Sequence, residues 1–181
     1  MTSAPLPFEE PYVSPSDPDW SRERCGWFAW QPGRQLLRWI RCHQAAANKP
    51  WPLRVVVRGF AVLAHRFWSV VSGADIPLGV RIGGGLFLPH PNGIVVHADA
   101  VIGPNCLLFQ QVTIGADHRG GVPTIGGHVD IGAGAKLIGR IQVGDHVRIG
   151  ANAVVVDDVP ACSTAIGIPA RSRPRTVPAA R

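Results

Sequence analysis

Two periods of apolar residues divide this chain. Over residues 76–155 an aliphatic side chain returns every six positions, most regularly at Ile125, Ile131, Leu137, Val143, Ile149 and Val155. Gly126, Gly132, Gly144 and Gly150 follow four of these. An earlier run reads Val96, Ile102, Leu108 and Ile114, with Gly103 and Gly115 in the same place. A helix buries a residue about every 3.6 positions and a half-buried strand every 2, so neither produces six. A parallel β-helix does: each hexapeptide is a short strand and a corner, and three make one triangular coil. Residues about eighteen apart then stack. The aliphatic residue points into the prism, and the glycine behind it relieves crowding and permits unusual φ at the bend. Ala133, Ala135 and Ala151 are small enough to let coils approach closely.

Upstream the period is helical. From Gly33, the residues Leu36, Leu37 and Ile40 share a face flanked by Arg34, Arg38 and Arg41, until Pro50 and Pro52 break the pattern. Leu53, Val56, Val57, Phe60, Leu63, Phe67, Val70 and Val71 then form the stripe of a second amphipathic helix, closed by Gly73. Residues 1–32 carry prolines and Trp20, Trp27 and Trp30 without any period. The pattern predicts a mainly β protein in four regions: an irregular arm (1–32), a helical segment capping the solenoid (33–73), the parallel β-helix itself (74–168) and a loose basic tail (169–181). Arg54, Arg58, His65 and Arg66 lie among bulky apolar residues, so the 53–71 helix also suits peripheral contact with a membrane surface. Packing against the solenoid or a second subunit is the expected arrangement.

Composition changes this picture little. The 181 residues are 46% hydrophobic, enough for one domain with an appended segment. A net charge of +6 suits an anionic partner, but no residue cluster resembles a nucleic-acid-binding motif, so no nucleic acid is expected. Cys25, Cys42, Cys106 and Cys162 are far apart and form no C-x-x-C pair, which fits a reducing cytosol. The first residues lack a secretory pattern, and no spanning helix is expected.

Chemistry belongs where the repeat breaks. The register slips by two residues at Pro89-His90-Pro91-Asn92-Gly93, and the interval from Ile114 to Ile125 is eleven rather than a multiple of six. The second break holds the polar loop 116–124, with His118 and Arg119. A neutral histidine is a natural general base for an alcohol, provided a partner fixes its tautomer. Asp75 lies fifteen residues before His90, three short of the stacking distance. The residues alone leave two readings open, an Asp75–His90 pair and a solvated corner histidine. Cys106, inside the repeat run, is expected to be buried rather than nucleophilic.

Six segments carry a resemblance in order over somewhat more than half the chain. They are Asp75-Ile76-Pro77, His90 with Gly93-Ile94-Val95-Val96, Val112-Thr113-Ile114-Gly115, Ile131-Gly132-Ala133-Gly134-Ala135-Lys136, Ile149-Gly150-Ala151 and Gly167-Ile168-Pro169-Ala170-Arg171. In these the chain resembles the serine acetyltransferase family of left-handed β-helix, hexapeptide-repeat acyltransferases. The resemblance implies acetyl-CoA as co-substrate, no metal, and a cytoplasmic homotrimer with sites between subunits. It places the catalytic histidine on His90 and its aspartate partner on Asp75. The groups receiving CoA fall on Gly115, Ala133 and Ala151, with a basic position near the cofactor on Arg148. The implied reaction is O-acetyl transfer to a small hydroxyl acceptor, by default L-serine.

The acceptor half of the match departs from the family. Pro89 stands where the family has its serine-binding aspartate, and Gly121-Val122 where it has an Arg-His pair. His118 and Arg119 are the candidates to replace them. The helical N-terminal segment is short, and the family's C-terminal isoleucine for docking a sulfhydrylase is absent. These differences resemble the exopolysaccharide-modifying acetyltransferases of the same branch, which makes a sugar hydroxyl the rival acceptor. A zinc hydratase on this fold would need three histidines at one metal, and His90, His97, His118 and His128 lack a ligand spacing. A non-enzymatic scaffold would keep its function without His90.

Overall fold

The computed structural model describes residues 12–176, and the six-residue spacing becomes six-residue steps around a triangle. The strands are short: β1 (Arg81–Ile82), β2 (Val95–Val96), β3 (Val101–Ile102), β4 (Leu107–Leu108), β5 (Thr113–Gly115), β6 (Thr124–Ile125), β7 (Asp130–Ile131), β8 (Lys136–Ile138), β9 (Gln142–Val143), β10 (Arg148–Ile149), β11 (Val154–Val155), β12 (Ser163–Gly167) and β13 (Ala170–Pro174). They form three sheets, ordered β1-β3-β6-β9, β2-β5-β8-β11 and β4-β7-β10-β12-β13. From β2 to β11 successive strands visit the sheets in rotation, isolated bridges at Phe87 and Val159 continue the order at either end, and every pair but β12/β13 is parallel. The chain is therefore a three-sided coil.

Register locates both interruptions. Thr124 pairs with Gln142, eighteen residues on, as an unbroken coil requires. Asp75 bridges Val95 and Arg81 pairs with Val101, both twenty apart, because two extra residues widen the corner before β2. Thr113 pairs with Lys136, twenty-three apart, so the loop before β6 adds five. The aliphatic positions fill the prism: Ile102, Leu108, Ile114, Ile125, Ile131 and Leu137 are all buried.

The glycines do half of what the sequence suggests. Gly132 is required for close approach, since a Cβ there would sit 2.6 Å from the Ala151 nitrogen in the next coil. The left-handed corner conformations fall on other positions, at Gly85, Gly93 and Gly134 and at the non-glycine residues Asn105, Gln111, His128, His146, Asn152 and Cys162. Asparagine tolerates that region better than most residues because its short side chain bonds locally. The repeat glycine thus serves coil-to-coil contact rather than the bend.

Two helices precede the coil. Pro32 opens α1 (Pro32–Ala45), where its missing N–H costs no hydrogen bond, and Leu36, Leu37 and Ile40 enter the main hydrophobic core. The second helix, α2 (Trp51–Ser72), ends on Gly73 at φ +66°. The capping role falls to α1. The apolar stripe of α2 does not pack against the solenoid. Ala61 and Ser72 are its buried residues, while Leu53, Val56, Phe60, Leu63, Phe67 and Val70 are 48–84% exposed. The reason is competition: α1 already fills the space at the end of the prism, and α2 lies on α1, with Trp68 as its large side chain packed against the core. Contrary to the sequence expectation, α2 is also long and apolar enough to cross a membrane by length and composition, with a mean hydropathy of 1.3.

The described part of the arm is anchored, not loose. Asn105, buried at a coil corner, accepts from the Asp19 N–H at 2.7 Å and donates to the Ser14 and Asp17 carbonyls at 2.7 and 2.8 Å. Glu23 pairs with Arg41 at 2.8 Å, and Arg41 also donates to the Ile82 and Gly83 carbonyls. The prolines at 5, 7 and 11 lie outside the described residues.

The expected loose tail is a further correction. Residues 170–174 form β13, which turns back after Gly167 at φ +99° and pairs antiparallel with β12. This hairpin covers the edge that the last coil would otherwise leave open. Residues 177–181 lie outside the described residues.

Candidate active site

One edge of the prism gathers half of the site residues singled out by sequence: His90, Asp75, Ala133 and Ala151. It runs along the corner leading into the β2-β5-β8-β11 sheet, and backbone hydrogen bonds tie its successive levels. The Gly93 N–H donates to Gly73 O, Gln111 N–H to Asn92 O, Gly134 N–H to Gln110 O and Asn152 N–H to Ala133 O, at 2.7–2.9 Å. His90 stands on this edge inside the two-residue widening, between Pro89 and Pro91. A proline on either side removes two backbone donors and stiffens the corner. The imidazole is solvent-exposed.

Asp75 lies at the foot of the same edge. Its N–H donates to Ile94 O at 2.8 Å and its carbonyl accepts from Val96 N–H at 2.9 Å. The Asp75 backbone is therefore held in the coil adjoining the His90 corner. Among the described residues no hydrogen bond or ion pair joins the two side chains, and Asp75 is exposed.

Above His90 the edge becomes a track of small residues. Ala133 and Ala151 occupy equivalent corners eighteen residues apart, the first half-buried and the second exposed. Gly115 is not on this edge but at the far end of β5, where a Cβ would meet Ile138 Cδ1 at 3.3 Å. Arg148 begins β10 on the neighbouring sheet, with its guanidinium 3.5 Å from the Asp130 carboxylate. Lys136 donates to the Gln111 carbonyl at 2.6 Å.

The five-residue insertion is a structured loop. Asp117 Oδ1 accepts from the Arg119 and Gly121 N–H groups at 2.9 Å each. Those bonds, that from Gly121 foremost, hold the carboxyl below the usual carboxylate range. His118 and Arg119 are thereby presented to solvent at the loop tip, apart from any contact with His90 among the described residues.

Sequence reasoning missed two features. Gln110, on the same edge between the His90 corner and Ala133, has a buried amide oxygen with no hydrogen-bond partner. Its place directly before the Val112-Thr113-Ile114-Gly115 segment was the visible clue. A cavity of about 320 Å³ also opens at the His90 corner, bounded by Trp30, Arg34, Phe87, Pro89 and Pro91 but not by His90 itself. Its walls come from the arm and α1 as well as the coil, which no repeat pattern could reveal.

The remaining chemical groups are set apart. Cys106 is fully buried, and burial pushes its thiol up to about 12, so it is no nucleophile at neutral pH. His128 and His146 stack one coil apart with their Nδ1 atoms at 2.8 Å. No group of three His, Cys, Asp or Glu side chains able to hold a metal occurs among the described residues.

A three-sided parallel coil with a widened histidine corner defines a class of repeat-built β proteins in which sites lie along prism edges. No family model matches the chain. Individual proteins do: a serine acetyltransferase of Synechococcus elongatus is 43% identical over 143 residues, 77% of this chain and 56% of that protein. One from Helicobacter pylori is 44% identical over 105 residues, 56% of this chain and 61% of that protein. Among solved structures, a soybean serine acetyltransferase complexed with serine superposes with a TM-score of 0.67 at 36% identity, over 80% of this chain and 58% of that one. A serine acetyltransferase in complex with CoA gives 0.67 at 33%, over 80% and 58%. Over the aligned part the chain is homologous to these serine acetyltransferases. It spans about two-fifths to three-fifths of the length of these and similar serine acetyltransferases.

Proposed function

We propose that this protein transfers an acetyl group from acetyl-CoA to a hydroxyl acceptor, by default L-serine. The observation that carries this is the position of His90: an exposed imidazole on a stiffened corner, one coil from Asp75 and at the head of a small-residue edge, in a chain homologous to serine acetyltransferases. In this reading the coil is a left-handed β-helix, and the cytoplasmic enzyme is a homotrimer whose clefts bring the edge of one prism against its neighbour. CoA lies along Ala133 and Ala151 and reaches Gly115, with Arg148 near its phosphates. Apposition of a second subunit would confine the His90 ring, which is free in the isolated chain, against Asp75.

His90 then removes the acceptor hydroxyl proton as the oxygen attacks the thioester carbonyl. The tetrahedral intermediate collapses, the C–S bond breaks, and the CoA thiolate takes the proton back from the imidazolium. Asp75 orients the ring and stabilises its cationic form. Removing a general base of this kind costs on the order of 10²–10⁴ in rate. His90→Ala should therefore lose turnover on that scale while CoA still binds, measured as thiol release alongside calorimetric titration with CoA. Equal thiol release by mutant and wild type would remove His90 from the mechanism.

The cavity at the His90 corner favours a second acceptor. Trp30 and Phe87 offer flat faces and Arg34 a donor array, while Pro89 replaces the carboxylate that would hold an ammonium group. Such walls suit a sugar ring better than a zwitterion. His118 and Arg119 remain the candidates for serine contact across a subunit boundary. An acceptor screen with acetyl-CoA against L-serine, homoserine, free sugars and lipid-linked sugars separates the two, by which compound accelerates thiol release above hydrolysis.

A further inference from the structure

We infer that the outward face of α2, with the aromatic loop beside it, is a docking surface for an anionic lipid membrane. The inference is independent of the reaction proposed above. Leu53, Val56, Phe60, Leu63, Phe67 and Val70 recur at helical spacing and all point to solvent. The patch continues into the arm, where Trp27, Phe28 and Trp30 are each more than 70% exposed. Ring contacts join the two parts, directly from Trp30 to Trp68 at 5.9 Å and through α1 from Trp27 to Trp39 at 6.5 Å and Trp39 to Phe60 at 5.6 Å. A contiguous apolar surface of this kind is rarely left to water.

Charge decides what covers it. Residues 24–74 contain eight Lys and Arg side chains and no Asp or Glu, more positive charge than the whole chain's net +6. On α2 itself, Arg58 and Arg66 are exposed and Arg54 is half-buried near the start of the helix. A second copy pairing two-fold through this face would bring the same cations to it, with no carboxylate in the segment to answer them. Anionic lipid answers both features, since acyl chains receive the stripe and headgroups receive the guanidinium groups. Tryptophan suits the boundary between the two.

The helix lies in the membrane plane rather than across it. Its inner face is held against α1, and His65 Nε2 makes a 2.8 Å hydrogen bond with the Ile76 carbonyl of the coil. Because Gly73 ends α2 two residues before Asp75, docking would set the foot of the His90 edge close to the lipid surface.

The test uses the full chain in flotation with phosphatidylcholine vesicles and with mixed phosphatidylcholine–phosphatidylglycerol vesicles. The expected result is binding to the anionic vesicles that falls with salt, and a drop of roughly tenfold or more in the Leu63→Glu, Phe67→Glu double variant. Both positions are exposed, so circular dichroism melts should match wild type and exclude misfolding. Replacing Arg54, Arg58 and Arg66 by Gln should abolish the preference for anionic over neutral vesicles. Absence of binding at low salt overturns the inference, as does equal binding by the double variant. Light scattering supplies a further check: a smaller assembly for the double variant, with vesicle binding unchanged, would assign the face to a second copy instead.

Discussion

A buried thiol and a stacked imidazole pair give the clearest residue-scale expectations. Cys106 lies inside the prism with its thiol donating toward the Gly126 carbonyl at 3.2 Å. With its ionisation pushed to about 12, it should resist thiol reagents until the protein unfolds, and Cys106→Ala should keep acetyl transfer within a few-fold. Loss of all turnover in that variant with an unchanged melting curve would restore a covalent route through the cysteine. His128 is held neutral chiefly by burial, below the ordinary histidine range, and its neighbour His146 adds to the effect. A base whose folded pKa is depressed binds fewer protons than it does when unfolded, so stability falls as pH drops below about 6.5 toward the folded value. His128→Asn, which accepts the φ of +50° at that corner, should flatten the acid limb of a melting-temperature profile. An unchanged acid limb would place the sensitivity elsewhere.

At the scale of elements, the coil stands or falls on the distance between its turns. Gly132 meets backbone of the next coil, so Gly132→Ala should cost about 1–3 kcal/mol, read from denaturant unfolding. Gly115 meets side-chain ends, Ile138 Cδ1 at 3.3 Å and Thr113 Cγ2 at 3.6 Å, and no backbone, so Gly115→Ala should cost less than Gly132→Ala. If CoA reaches β5 as proposed, the same variant should raise KM for acetyl-CoA. Matching stability losses at both glycines would mean that the repeat glycine has a single structural role throughout.

Across the whole molecule, the arm and α1 convert a bare solenoid end into a walled cavity. Asn105 is the rivet: its side chain makes three bonds to the arm from a buried corner. Asn105→Ala strands those backbone groups and should cost about 1–3 kcal/mol. The readout is faster proteolysis of the arm around Arg22 and Arg24, with β-coil unfolding shifted less. Uniform protection of the arm would show that Glu23–Arg41 and the tryptophan contacts suffice without it.

Periodicity made the coil legible before any coordinates, because burial at every sixth residue is a local property that each turn repeats. Ile82, Leu88, Ile94 and their successors are buried where the period puts them, and both register breaks fall where the spacing fails. The histidine on the widened corner could be singled out for the same reason. Direction was not legible. The stripe on α2 predicts an amphipathic helix, but which neighbour receives it depends on what else competes for the end of the prism, and α1 takes that place. The Asn105 anchor, the cavity walled by Trp30 and Phe87 and the β12/β13 hairpin all join residues far apart in sequence or fold the chain back on itself. Such contacts depend on three-dimensional closure, which a one-dimensional period does not encode.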